Sequence, residues 1–514
     1  MCISWTNVRA KFKSPLRVVA SVLWRSREKK QLECRRLKEE LDEARRTIAR
    51  QAAEAQRMDE EIRTLQAQVR RLEGQNRQQA GCRLPDDPPL KGHKFGVRMI
   101  RLSVNLARRI GLRPTERVLK IVWEWLGIKQ LLPSWTAIRT WLLRLGVAAL
   151  REPVEAADDW VWMSDHSNQI GPEKALVVLG VRASQLPPPG ETLKHAHVRL
   201  LTVQPGTAWK RENMAAVYGE LAQRCGNPRG VLCDGAVELR EGAQCLQKPP
   251  SETIVLQDFK HKAAIFLKTL VGDDPRFAEF NTHLGKTRSA IQQTELAHLT
   301  PPSQKPKARF MNLAPTLAWA AAVLWLLDHP EAKSRAGLRP ERLEEKLGWL
   351  RSFGTELAEW GECQQVINAG LTFINQQGLF RGAGVQLRAA MGTNLKHAAS
   401  QQLVQRLVDF VTAAEGQLKE GERLPMSTEI LESSFALYKQ LERQHSKGGF
   451  TSLLASFGAL LKPATDDSIR RAFSTVSVKD VRQWTRENLG VTLTSKRCAT
   501  YKEFRSATNL TTKT

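Results

Sequence analysis

The chain has 514 residues, and its 78 Lys and Arg against 53 Asp and Glu give a formal charge of +25. Such a surplus points to a polyanionic partner, nucleic acid first. An apolar fraction of 42% with 14 Trp excludes a disordered basic tail and leaves enough core for several domains.

The eight cysteines include no C-x-x-C pair and no Cys/His cluster with zinc-finger spacing, which favours reduced thiols in a cytoplasmic protein. Lys11, Lys13, Arg17, Arg25 and Arg27 punctuate the start, where a secretory signal would need an apolar core. The longest apolar run, Leu313 to Leu327, is 15 residues long and contains Pro315. It is short for a bilayer span and reads as a buried helix, so no membrane partner is expected.

After a basic segment over residues 1–25, residues 34 to 76 carry a seven-residue repeat. One seam holds Leu41, Ile48, Ala55, Ile62, Val69 and Asn76, the other Leu37, Ala44, Gln51, Met58, Leu65 and Leu72. β-branched residues at a, Leu at d and one polar a residue favour a parallel two-stranded coiled coil, placed at 26–80, and hence a homodimer. A single long solvated helix is the other reading. The Pro- and Gly-rich stretch Gly81 to Gly92 ends the repeat, giving a linker at 81–94.

Residues 95–150 read as three short amphipathic helices, near Val97 to Ile110, Thr115 to Leu126 and Ser134 to Leu145. A compact trihelical unit with a basic last helix fits a helix-turn-helix, with Arg139 and Arg144 on the helix that would enter the major groove. Lys94, Arg98 and Arg101 would add phosphate contacts. Any small three-helix bundle has the same pattern.

From residue 158 the period changes. Short β-like runs at Trp160 to Met163, Ala175 to Val181 and His197 to Val203 precede a helix at Trp209 to Cys225, then Gly230 to Cys233, another helix and Thr253 to Leu256. The order βββαβαβ predicts an α/β core with a mixed sheet over 158–261. Residues 262–425 read as an all-helical insertion, in which Trp319, Trp325, Trp349 and Trp360 suit core positions, the other reading being stacking on a flipped base or hairpin end. A segment at 426–460 carries a further amphipathic helix, and 461–514 a basic helical tail.

Asp165 closes the first run (WVWMSD) and Asp234 the fourth (GVLCD). Ends of neighbouring strands can lie together although far apart in sequence, so these carboxylates can share a site. Hard, oxygen-seeking ions such as Mg²⁺ take such ligands. The helix TEILESSFALYKQ offers Glu429 and Glu432 as a third acid, and Glu432 has Lys439 two turns on along one face. An isolated strand-end Asp is ordinarily a turn former, and an isolated helical Glu a solvated one; it is their joint pattern that suggests chemistry. His166 could approach the metals or sit as a capping residue. In QDFKHK, Asp258 and His261 could face the active-site edge or form a helix cap with an exposed His. Gly382 to Gly392 lacks the G-K-[ST] ending of a Walker motif, so no nucleotide cofactor is expected.

Together the element order and the runs WMSDHS, VLCDG and LESSFALYK resemble the RNase H-like catalytic domain of DDE transposases and retroviral-type integrases, over about residues 158 to 260 and 426 to 460. The N-terminal arrangement is similar to that of bacterial insertion-sequence transposases, which implies a nucleoid-associated protein. The resemblance implies Asp165, Asp234 and Glu432 as catalytic residues holding two Mg²⁺, with Mn²⁺ as a substitute, and Lys439 as a companion cation for the DNA backbone. It implies cleavage of double-stranded DNA at transposon ends and transfer of the freed strand into target DNA. Alternatives are a catalytically inactive DNA-binding regulator and an RNase H-like nuclease without strand transfer.

Overall fold

The computed structural model describes residues 16–78, 86–170, 173–207, 209–249, 251–304, 310, 313–329, 339–445, 451–489 and 493–511. Contacts divide the chain into two units, Met1–Asp86 and Asp87–Thr514.

In the first unit a single helix, α1 (Leu16–Gln78), runs for 63 residues. Leu37, Leu41, Ile48, Met58, Ile62, Leu65 and Val69 are each about half exposed on it. From Leu37 to Val69 both heptad seams therefore lie bare to solvent along the helix.

The second unit opens with α2 (Val97–Ile110), α3 (Leu112–Trp125) and α4 (Trp135–Arg151). The Asp87 carboxylate caps α2 by accepting from the Arg98 and Met99 backbone N–H groups at 3.0 and 2.9 Å. Gly96 is required there, because a Cβ would come within 2.2 Å of the Asp87 carboxylate. Helix α4 departs from the expected surface helix, since Trp141 to Val147 are all buried. Its burial has a sequence-distant cause. The 3-10 turn Ser452–Ser456, α15 (Phe457–Leu461), α16 (Asp466–Thr475) and α17 (Val478–Leu489) all pack on it. Val476 and Val481 share a core cluster with Leu143 and Val147. Residues 466–489 thus complete the N-terminal helical layer, and the expected basic tail shrinks to the segment beyond Leu489. In α18 (Leu493–Thr511), Tyr501 and Phe504 are exposed.

The sheet has the order β3-β2-β1-β4-β5, formed by β1 (Trp160–Ile170), β2 (Glu173–Arg182), β3 (Arg199–Gly206), β4 (Gly230–Cys233) and β5 (Ile254–Gln257). β2 is antiparallel to both β1 and β3, while β1, β4 and β5 run parallel. The expected βββαβαβ order is present, with α5 (Arg211–Cys225) and α6 (Val237–Gln244) as the crossovers. Period-two alternation assigns the faces. Trp162, Val178 and Val231 bury against α5 and α6 with Met214, Tyr218 and Leu239. Val161, Met163, Val177 and Leu232 join the larger core on the opposite face.

From β5 the chain enters α7 (Phe259–Val271), α8 (Pro275–Ile291), α9 (Leu313–Asp328), α10 (Pro340–Leu347), α11 (Gly354–Gln377), α12 (Ala383–Met391) and α13 (Ala398–Glu415), then returns as α14 (Glu429–His445). The insertion is not helical throughout, because β6 (Leu379–Phe380) and β7 (Arg423–Leu424) form a two-stranded ribbon. Trp360 is buried among Phe277 and Phe280. Trp325 instead is exposed and stacks on His329 at 4.4 Å. Among the described residues no helix is long and apolar enough to cross a membrane.

Candidate active site

The last paired residues of the parallel strands β1 and β4 are Ser164 and Cys233. One position further, each strand presents an acid, Asp165 and Asp234, so the carboxylates emerge on neighbouring strands. Asp165 does not close its strand as expected. Pairing with β2 carries β1 on through Asp165↔Val177, His166↔Leu176 and Ser167↔Ala175. The polar run SDHSN hides this extension, since it belongs to the part of the strand that β4 no longer covers.

Asp234 is fixed by a turn. Its carboxylate accepts from the Ala236 backbone N–H at 2.9 Å. Gly235 has φ +95, and a Cβ there would come within 1.9 Å of the Gln257 side chain, which accounts for the glycine in VLCDG. Asp165 accepts from the His166 backbone N–H at 2.6 Å. Burial pushes the Asp165 carboxyl up to about 7, helped by the charge of Asp234 and then of Glu432, and opposed by the His166 hydrogen bond and by His261. Asp234, Glu432 and His261 therefore all lie within electrostatic reach of Asp165.

What brings α14 to the sheet is Asp258. Its buried carboxylate caps α7, accepting from the His261 backbone N–H at 2.7 Å and lying 2.9 Å from His261 Nδ1. The other oxygen accepts from the Thr428 backbone N–H at 2.6 Å and hydroxyl at 3.0 Å. The Thr428 carbonyl in turn accepts from the Leu431 and Glu432 backbone N–H groups, starting α14. Burial would lower the His261 pKa, but Asp258 outweighs it and holds the imidazole above its usual range. Asp258 therefore caps α7, and the charges of Asp234 and Asp165 add to its upward pull on the His261 pKa.

Two of the site's groups carry no signal in the sequence. Lys260 donates to Glu432 Oε2 at 2.7 Å and lies 3.7 Å from Glu429 Oε1. Thr428 provides the start of the helix. A Lys between Asp258 and His261 is visible in QDFKHK, yet its partners lie on α14, and nothing local points to them. Glu429 faces away toward Asn375, whose side-chain amide donates to Oε2 at 2.6 Å.

His166 lies on the other face of the strand, although the charge of Asp234 still reaches it. By strand alternation it shares the face of Trp162 and Ser164, opposite to Asp165. Its side chain is 8% exposed, its Nδ1 lies 3.9 Å from Glu238, and its ring is 5.2 Å from Trp209. Burial and then Lys174 push it down to about 4.

Of the expected DNA-contacting residues, Lys94, Arg98 and Lys439 are exposed. Arg101 is exposed but pairs with Asp466 at 3.0 Å. Arg139 is partly buried and donates to the Ser452 hydroxyl. Arg144 is a correction. It is 5% exposed, donates to the Val476 and Phe473 carbonyls at 2.7 and 3.0 Å, and stacks on the Phe473 ring at 4.0 Å. Those internal partners take the donors that a phosphate would need.

In this arrangement the three acids do not converge on one point. Among the described residues no group of three or more His, Cys, Asp or Glu side chains is placed to hold a metal ion.

No family model matches the chain, and no curated protein matches it. Among solved structures it is similar to the strand transfer complex of the Drosophila P element transposase, with 11% identity and a TM-score of 0.34, over 75% of this chain and 93% of that one.

Proposed function

We propose that the chain is a DDE-type transposase with an RNase H-like core, cutting DNA and joining the freed strand to a target. One observation carries this reading: Asp165 and Asp234 emerge on adjacent parallel strands, and Glu432 on α14 is close enough to raise the Asp165 pKa further. Carboxylates crowded in this way repel one another, and burial sharpens the repulsion. A cation would relieve it, and although the three acids are not gathered round one point in this arrangement, their oxygens are the hard donors that Mg²⁺ or Mn²⁺ takes. When bound, two such ions would activate an attacking oxygen and stabilise the leaving one.

The chain's own residues supply the rest. Asp258 fixes α7 and α14 to each other, and it raises the pKa of His261, which lies within electrostatic reach of the aspartates where a phosphodiester would approach. Charge neutralisation and positioning are what such chemistry needs most. Exposed Lys94, Arg98 and Lys439, within a chain of charge +25, suit a DNA backbone. The bare seams of α1 suit a parallel homodimer.

Supercoiled plasmid incubated with the protein and Mn²⁺ tests the reading. Nicking, followed by joining of a labelled oligonucleotide to the plasmid, is expected from the native chain. Asp165→Asn, Asp234→Asn and Glu432→Gln should each abolish both products while DNA retention in a gel persists. Cleavage retained in all three variants would refute the site. Nicking without joined product would make the protein a nuclease.

A further inference from the structure

Helix α3 buries one face and leaves the other bare. Leu112, Thr115, Leu119 and Trp123 are buried, on the side where α2, α4 and α14 pack. On the outer side Val118, Ile121, Val122 and Trp125 follow the i, i+3, i+4, i+7 rule and are all exposed, Ile121 at 64% and Trp125 at 82%. Scattered apolar residues on a surface are ordinary, whereas a continuous stripe that ends in a largely exposed indole marks a surface to be covered.

The charges beside the stripe select its cover. Arg117 and Glu124 are seven residues apart, so they lie two turns apart on one edge of it, and both are exposed. Glu124 pairs loosely within its own helix, with Lys120 at 3.9 Å. A second copy of α3 running antiparallel brings the opposite signs together. With a two-fold axis crossing the helix between Leu119 and Lys120, Val118 stands level with Ile121 of the second copy. Arg117 then comes within about 3 Å, measured along the axis, of Glu124 of the second copy, and the symmetry makes this pair twice. In that register the 14-residue helix overlaps its copy along most of its length. A parallel pair would instead set Arg117 beside Val122 of the second copy, with no opposite charge to meet.

Other occupants fit less well. DNA phosphates offer nothing to an apolar stripe. Helix α18 exposes Tyr501 and Phe504, but its Lys496, Arg497, Lys502 and Arg505, against one Glu503, would meet Arg113, Arg117 and Lys120 of α3, basic against basic.

We propose that α3 is a self-association helix, whose stripe Val118, Ile121, Val122 and Trp125 covers the same stripe of a second copy in an antiparallel pair. The contact lies in the second unit, separate from the heptad seams of α1, and it depends on no reading of the carboxylates. One helix of this length is small against the roughly 800 Å² a side of a standard interface, so on its own the pair is weak, with a Kd of about 100 µM. In a chain whose α1 already holds two copies together, the tether supplies the local concentration the pair needs.

Sedimentation equilibrium on the full chain carrying Ile48→Asp and Ile62→Asp, in reductant, isolates this contact. Monomer is expected at about 5 µM and dimer at about 300 µM. Adding Ile121→Asp, at an exposed position, should abolish the dimer. Arg117→Glu or Glu124→Arg should each weaken it about tenfold, because like charges then face each other twice, and the two together should restore it. Thermal melting establishes that each variant is folded, and Ile121→Ser replaces Ile121→Asp should the latter fail to fold.

Monomer at every concentration in the Ile48→Asp, Ile62→Asp chain overturns the pairing. Association that survives Ile121→Asp lies on another face and overturns it equally. Charge reversals whose losses add instead of cancelling overturn the antiparallel arrangement. DNA retention lost in Ile121→Asp, with association unchanged, assigns the stripe to nucleic acid and overturns the proposal.

Discussion

The Asp258 carboxylate accepts hydrogen bonds from both the backbone N–H and the hydroxyl of Thr428, 170 positions further along the chain. With its other oxygen it caps its own helix and pairs with His261. Asp258→Ala would leave the buried Thr428 N–H and the His261 ring without their acceptor. The expected loss is about 3–5 kcal/mol of unfolding free energy, measured by urea denaturation. Glu432 should lose its fixed position in the same variant, so cleavage should fall further than stability alone explains.

The Asp258–His261 pair also sets a pH window. Burial raises the Asp258 pKa, but His261 and Thr428 outweigh it, so the folded value lies below the ordinary 3.8. That stability is present above 3.8 and is lost as pH falls through the lowered value. His261 is raised above 6.5, so its share is complete below 6.5 and is lost as pH rises through the folded value. Thermal melting in chelator should show this contribution in full between about pH 4 and 6.5 and declining above. Asp258→Asn should flatten the decline.

Asp165 behaves in the opposite way to a paired acid. Its folded pKa, about 7, lies above the ordinary 3.8, so the uncharged form is favoured in the fold and the penalty for ionising it grows as pH rises between those values. Without metal, Asp165→Asn should melt at the native temperature at about pH 4 and above it at about pH 8. An equal or lower melting temperature at the higher pH would contradict the crowding of carboxylates inferred at this site.

Arg144→Met should destabilise without a specific effect on DNA. It removes two hydrogen bonds to carbonyls and a stacked guanidinium from the centre of the helical layer. The expected loss is about 2–4 kcal/mol. Arg98→Ala, at an exposed position, should leave stability within about 0.5 kcal/mol. It should lower DNA affinity and reduce its salt dependence by about one charge.

The apolar seams of α1 predict association. Ile48→Asp together with Ile62→Asp places charge at two a positions. Sedimentation equilibrium should then report a monomer, against the dimer expected of the native chain. A native chain that sediments as a monomer at micromolar concentration would remove the coiled-coil reading.

The parts of the fold legible in the sequence are those with a short-range cause. The helix Val97–Ile110 and the strand Gly230–Cys233 can be bounded from sequence because a strong period and nearby breakers mark them. The apolar run of β1 stops at Met163 although the strand does not, because its outer half is held only by the hairpin partner β2 and carries polar residues. Arg144 misleads for a related reason. Its i, i+3, i+4 pattern describes one apolar face, whereas the helices that bury the other face come more than 300 residues later, with partners at separations of 332 and 329. At the site, Asp165 and Asp234 can be paired through strand ends. Lys260 acquires meaning only when α14 returns, and no local pattern encodes that return.

That return closes a long excursion. Because the Phe259 N–H meets the Met426 carbonyl and Asp258 meets Thr428, the two ends of the insertion lie one hydrogen bond apart. Loop-closure entropy changes by only about 0.6 kcal/mol for each doubling of length, so a segment tied at its base can grow or shrink at little expense to the sheet. The insertion is thus a graft on a fixed stem. A change of length far from the stem would leave the Asp258–Thr428 contact, and with it the start of α14, in place.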